Sequence, residues 1–205
     1  METGLQVKSN KYLLKLTIPV FIEMLFGMLI GNMDQFMMST QSENAFAAIG
    51  NANQIINLFL ITFNVVAMAS TILISQYIGA KDTQKTEQLY SLALLVNVIF
   101  GVMVSLVIVF FNGQIFRLLS CPEILLKDSM LYITIVGAGM FLQGITTTYS
   151  AFFKSNGYMK ESMYVSIIIN IINTVGNAFL IFGWFGIPRL GIVGVAISTN
   201  VSKLI

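Results

Sequence analysis

Residues 16–39 read LTIPVFIEMLFGMLIGNMDQFMMS. The run has the length of one bilayer-spanning helix, which needs roughly 20 apolar residues. It nevertheless carries two carboxylates, Glu23 and Asp34. At about 100° per residue their spacing closes nearly three turns, so both point to nearly the same side, roughly 16 Å apart along the axis. Gly27 lies on that side, with Gly31 beside it. An acid facing lipid is costly, so this face is expected to look onto other helices or onto water. The plain reading of each acid is a hydrogen bond to a neighbouring helix, and it weighs more for Glu23 than for Asp34. A functional role is the default for an acid inside the membrane.

Composition agrees with a membrane setting. Hydrophobic residues make up 56% of the 205-residue chain and charged residues 10%, with a mean hydropathy of +0.83. Soluble domains carry about 25% charged residues, so this is an integral membrane protein whose first partner is the lipid bilayer. There is no His, which excludes His acid–base chemistry and His metal ligation. The single cysteine, Cys121, cannot form an internal disulfide or a zinc cluster. A net charge of +2 is too small to indicate a nucleic-acid partner. Lys8, Lys11 and Lys15 precede an apolar run too long for a cleavable signal peptide, and no small-residue cleavage site follows.

Six apolar segments follow one another, predicting an all-α membrane protein built as a six-transmembrane-helix bundle. The spans fall at about 14–38, 45–78, 88–111, 129–153, 159–183 and 191–205. Polar stretches separate them: Ser42-Glu43-Asn44, Gly79-Ala80-Lys81-Asp82, a loop from Asn112-Gly113 to Cys121-Pro122, Lys154-Ser155-Asn156-Gly157, and Gly186-Ile187-Pro188-Arg189. The sixth is expected to be truncated, since only about fifteen apolar residues precede Ile205. Basic residues set the orientation. With the amino-terminus inside, the inner segments hold Lys8, Lys11, Lys15, Lys81, Lys85, Lys154 and Lys160, against Arg117, Lys127 and Arg189 outside. The expectation is a multi-pass protein of the plasma membrane with a cytoplasmic amino-terminus. Lys203 falls inside the sixth segment and takes no part in that count.

Several spans carry polar stripes. The fifth has Ser166, Asn170, Asn173 and Asn177 at steps that keep one helical face. The second has Gln54, Asn57, Asn64 and Ser75, and the fourth has Gln143, Thr146, Thr147 and Ser150. Taken singly, such groups mostly bond neighbouring helices. Three striped helices plus an acidic one are expected to line a polar cavity. Its oxygens beside a carboxylate suit Na⁺ or a proton. Gly176, Gly183, Gly186, Gly191 and Gly194 are read as close-packing residues. Pro19 belongs in a first turn or at a kink. The methionines of the first span, Met24 and Met28 among them, are read chiefly as gap fillers.

Four stretches carry a family resemblance: IPVFIEMLFGMLIGNMDQFMM, AAIGNANQI, ISQYIGAKD, and KSNGYMKESMYVSIIINIINTVGNAFLIFGWFGIPRLGIVGVAIST. In this order, with six apolar segments around them, the chain resembles the multidrug and toxic compound extrusion (MATE) transporters over nearly its whole length. The resemblance implies one lobe of a twelve-helix transporter, with a second six-helix bundle absent from this chain. It implies export of small organic molecules in exchange for Na⁺ or H⁺. The family's first-helix proline and cation-coupling aspartate match Pro19 and Asp34. Its fifth-helix pattern of asparagine and aspartate lands on Asn173 and Asn177, where an amide replaces the second acid. A sixth-helix threonine corresponds to Thr199. A Na⁺ site at Asp34, Asn173 and Asn177 is implied in the same way.

The leading function is a cation-coupled antiporter exporting drugs or other organic molecules. It is not an enzyme and has no cofactor beyond the coupling ion. No G-x-x-x-x-G-K-[ST] loop occurs, so an ion gradient is the simpler energy source. The alternatives are a flippase for lipid-linked precursors, which calls for a more cationic cavity, and a non-transporting assembly subunit, which leaves the two acids unexplained. Beyond Asp34, Asn173, Asn177 and Thr199, the expected cavity lining is Glu23, Gln54, Asn57, Asn64, Gln143, Thr147 and Asn170.

Overall fold

The computed structural model describes residues 10–186 and 188–204. Lys8, Ile187 and Ile205 lie outside them, as does the side chain of Lys11. Every regular element among the described residues is helical: α1 Asn10–Gly31, α2 Met33–Ser39, α3 Glu43–Gly79, α4 Thr83–Leu118, α5 Glu123–Ala138, α6 Met140–Ser155, α7 Met159–Phe182 and α8 Gly191–Ser202, with a short 3₁₀ turn at Trp184–Gly186. Four helices are long and apolar enough to cross a membrane, or five if the bent α5–α6 pair counts as one span. The fold is all-α, as expected, but several boundaries move.

The first span is α1 plus α2, interrupted at Asn32. Pro19, expected in a first turn or at a kink, lies in the interior of α1, which continues through it to Gly31; the span is interrupted at Asn32. The first turn is at Thr40-Gln41-Ser42 rather than Ser42–Asn44. Ser42 Oγ accepts the Ala45 N–H at 3.2 Å and so starts α3 one residue later. Helix α3 ends at Gly79, and the left-handed residue that reverses the chain is Lys81, with φ +60°. Asp82 then caps α4 by accepting the Lys85 N–H at 3.1 Å.

Asn112-Gly113 is not a loop; α4 carries on to Leu118. The Asn112 amide donates to Val109 O at 3.1 Å and to Thr134 Oγ1 on α5 at 2.9 Å, so its polarity is satisfied within the bundle. The fourth span begins earlier than expected, at Glu123, and is broken. Helices α5 and α6 meet at Gly139 with a 50° bend. There the Gly139 N–H turns to Val136 O, which leaves Ile135 O without its helical partner. The Asn200 side chain of α8 donates to that carbonyl. Membrane backbone tolerates a break where a neighbouring side chain takes the freed group in this way. A Cβ at Gly139 would collide with the Asn200 amide, so only glycine leaves room for the repair. The sixth segment is shorter than a span among the described residues, since α8 has 12 residues.

Helix α4 packs along α6 and α5, α3 along α5, and α7 between α1 and α8. Gly101 and Gly144 bring α4 and α6 together: added Cβ atoms would lie 2.6 Å from Phe141 Cα and 2.6 Å from Asn97 O. Phe63, Tyr132, Ile108, Ile133 and Met140 fill the core. Apolar residues also cover the outside, as lipid requires, with Leu58, Ile61 and Phe110 well exposed. Of the glycines read as packing residues, Gly176 and Gly194 do meet side chains across α7 and α8, whereas Gly183, Gly186 and Gly191 adopt positive φ and shape the connection. Helix α1 rests chiefly on α7. That leaves open space between it and α3 and α6, where the polar stripes face.

Candidate functional site

Asp34 sits in the first turn of α2, just past the break at Asn32, and is only 7% exposed. The break re-aims the chain so that the carboxylate points at α7 and α8. Asn173 and Asn177 are one turn apart on α7, both buried. Thr199 comes from α8, which is fastened to α7 by Ser198 Oγ donating to Asn173 O at 2.9 Å.

Three donors converge on the carboxylate. The Asn177 amide donates to Oδ1. The Asn173 amide, oriented by its partners, donates to the same oxygen at 2.9 Å and accepts the Thr199 N–H at 3.3 Å. The Thr199 hydroxyl lies 3.0 Å from Oδ2 and 2.9 Å from Val195 O, with one proton to give. Asn177 Oδ1 is buried without a hydrogen-bond partner. The four residues expected to act together are therefore brought together.

Two cavities adjoin this cluster. The first, of about 730 Å³, is walled by Asp34 with Asn57, Asn64, Gln143, Asn170, Asn173 and Thr199, and by apolar Met24, Met28, Leu60 and Ile169. The second, also of about 730 Å³, lies between α1, α3, α6 and α7 and holds Glu23, Thr147, Ser150, Ser166 and Lys154. Met24, Gly27, Asn64 and Asn170 belong to both. The common face expected for Glu23 and Asp34 is thus divided, because α1 and α2 are not one continuous helix. Glu23 accepts from Lys154 Nζ at 3.0 Å and from the Ser162 and Ser166 hydroxyls at 3.4 and 3.3 Å. Lys154, expected in the polar turn between two spans, is half-buried in the last turn of α6.

Gln54 is exposed and lines an adjoining concavity with Gln35, Asn51 and Asn53. It does not join the Asp34 cavity. Gln143 and Thr147 bond each other at 3.2 Å. Sequence reasoning missed Tyr132 and Lys203, which both line the first cavity. Lys203 was legible in principle, since it follows Thr199 by one helical turn and shares its face.

A helical membrane bundle that gathers a buried acid, two amides and a hydroxyl on the wall of an amphipathic cavity has the build of a membrane transporter. The MatE family model matches residues 19–179, and the chain belongs to that family. It is 36% identical over 206 residues to the uncharacterized transporter YisQ of Bacillus subtilis, covering 100% of this chain and 45% of that protein. It is 27% identical over 202 residues to the multidrug resistance protein PmpM of Pseudomonas aeruginosa, covering 98% and 42%. Among solved structures, an outward-facing multidrug resistance MATE family transporter of the MOP superfamily superposes with a TM-score of 0.83 at 20% identity, over 93% of this chain and 42% of that one. The fold is that of one lobe of such a transporter. The chain spans a little under half the length of the relatives it matches.

Proposed function

We propose that this chain is the ion-coupling lobe of an antiporter that exports small organic molecules across the plasma membrane in exchange for Na⁺ or H⁺, working with a second six-helix bundle. One observation carries the reading: Asp34, buried beside a large cavity, is held by side chains that can either donate or accept. With amide N–H groups turned toward it, the carboxylate is satisfied by side chains. Half a rotation of either amide presents an oxygen instead. Asn177 Oδ1 already lacks a partner. The carboxylate, two amide oxygens and the Thr199 hydroxyl form an all-oxygen set suited to one monovalent cation. A proton on Asp34 would be held equally well by an amide oxygen. The same residues thus serve the loaded and empty states, and loading follows access from the cavity. The basic bias supports a cytoplasmic amino-terminus.

The test uses the complete transporter in proteoliposomes. Uptake of a fluorescent organic probe, tried as a cation and as a carboxylate, is driven by an imposed Na⁺ or pH gradient. Asp34→Asn should abolish gradient-driven uptake, and Glu23→Gln should cost less. Uptake by Asp34→Asn near the wild-type rate would overturn the assignment.

A further inference from the structure

The cavity beside Asp34 holds a second charge. Lys203, at the end of α8, is half-buried and lines the same wall as Asp34, Asn170 and Thr199. Among the described residues the ion pairs are Lys85–Asp82 and Lys154–Glu23. Lys203 makes neither an ion pair nor a side-chain hydrogen bond there. The two acidic and basic groups of the cavity are therefore unequal in what they offer. Asp34 is 7% exposed and already accepts from three side chains. Among the described residues Lys203 has no hydrogen-bond or ion-pair partner, and it faces a space large enough for a drug-sized molecule. An ammonium inside a membrane protein is expensive unless it meets an anion or water.

We infer that the cavity takes organic molecules bearing a carboxylate, with the carboxylate seated on Lys203 and an apolar body against Met24, Met28, Leu60 and Ile169. This rests on the reading of the cavity as the substrate route. It names the substrate class: organic anions and zwitterions with a carboxylate end, in preference to plain organic cations. An organic cation would have to displace the side chains around Asp34 while standing near the Lys203 ammonium. A carboxylate needs no such rearrangement, and the amides of Asn57, Asn64 and Gln143 remain for its other polar groups.

The experiment is equilibrium binding to the full chain in lipid nanodiscs, at one pH and with no ion gradient. Two radiolabelled probes share one apolar body: 2-naphthylacetate and 2-(2-naphthyl)ethylammonium. The wild type should bind the carboxylate at least about tenfold more tightly. Lys203→Gln should bring the two within about twofold, and Lys203→Arg should keep the preference. Equal affinity, preference for the ammonium, or no binding of the carboxylate by the wild type overturns the inference without recourse to a variant. So does an unchanged ratio in a folded Lys203→Gln protein. The result separates from the coupling test. A carboxylate preference together with gradient-independent transport upholds this inference and overturns the coupling role of Asp34; the converse overturns this inference alone.

Discussion

The Glu23 carboxylate of α1 stands 3.0 Å from the Lys154 ammonium of α6. Ser162 and Ser166 of α7 add two hydroxyls to the same carboxylate. Helix α1 leans mainly on α7, so this cluster is its polar tie to the neighbouring α6. The arrangement gives Glu23 a structural role that is distinct from the site at Asp34.

Breaking that tie from either side should not cost the same. Lys154→Met leaves a carboxylate, 14% exposed, with only two serine hydroxyls. Glu23→Gln leaves an ammonium that is 27% exposed and better able to reach water. Removing one partner of a fully buried pair costs about 3–5 kcal/mol, and the residual exposure here lowers that to about 1–2 kcal/mol for Lys154→Met. The lysine variant should lose more thermal stability in detergent than the glutamate variant. The double variant should recover part of the loss. A Lys154→Met melting curve that overlays the wild type would leave the pair with no structural weight.

The approach of α4 to α6, backbone against backbone, should tolerate an added methyl poorly. At Gly101 and Gly144 a Cβ meets backbone atoms of α6 and α4 at 2.6 Å, so one helix must move. Gly101→Ala and Gly144→Ala are expected to destabilise by about 1–3 kcal/mol each. Gly27 has open space around its Cβ direction, and Gly27→Ala should be near neutral or slightly stabilising. Unfolding followed by helical circular dichroism ranks the three; the reverse ranking would mean that α4 and α6 do not pack this way in the membrane.

Lys81 and Arg189 should label from opposite sides of the membrane. Three candidate crossings lie between them: α4, the bent α5–α6 pair taken as one span, and α7. Setting aside Lys154, occupied by Glu23, the basic bias still favours Lys81 on the cytoplasmic side. Cysteines placed singly at each position, in a Cys121→Ser background, are probed with an impermeant thiol reagent on intact cells. Labelling at Arg189 and not at Lys81 is expected; the opposite pattern inverts the topology, and labelling of both would deny the three crossings.

What the sequence made legible follows from how each signal is written. Asp34, Asn173 and Asn177 are polar residues in apolar runs, and helical spacing puts the two asparagines on one face. The break at Gly139 was illegible because Ala138-Gly139-Met140 continues an apolar run, and its repair comes from Asn200, over sixty residues away. Asn112-Gly113 misled in the opposite sense. The pair has turn chemistry, but tertiary hydrogen bonding to Thr134 keeps it helical. The shared face of Glu23 and Asp34 assumed a straight helix, and the interruption at Asn32 removed that assumption. Lys203 carried a signal that a count of loop charges discards, since it lies inside a span.

Placing a second acid at Asn177 should make the cluster respond more strongly to Na⁺. The Asn177 amide now donates to Asp34 Oδ1. Asn177→Asp replaces that donor with a carboxylate in hydrogen-bond contact with another. Two carboxylates so close cannot both stay charged unless a proton or a cation stands between them. The variant should be less stable than the wild type in choline chloride, where only a proton can fill that place. In NaCl of equal ionic strength it should regain stability, and by more than the wild type does. A site bound about tenfold more tightly adds up to about 1.4 kcal/mol at saturation. Asp34→Asn combined with Asn177→Asp is the control: it keeps a single carboxylate and moves it from α2 to α7, so its Na⁺ response should fall back toward the wild-type level. Thermal unfolding in the two salts reads all three proteins. If Asn177→Asp gains no more from Na⁺ than the wild type, the cluster does not hold the cation, and the oxygens around Asp34 serve only to join α2, α7 and α8.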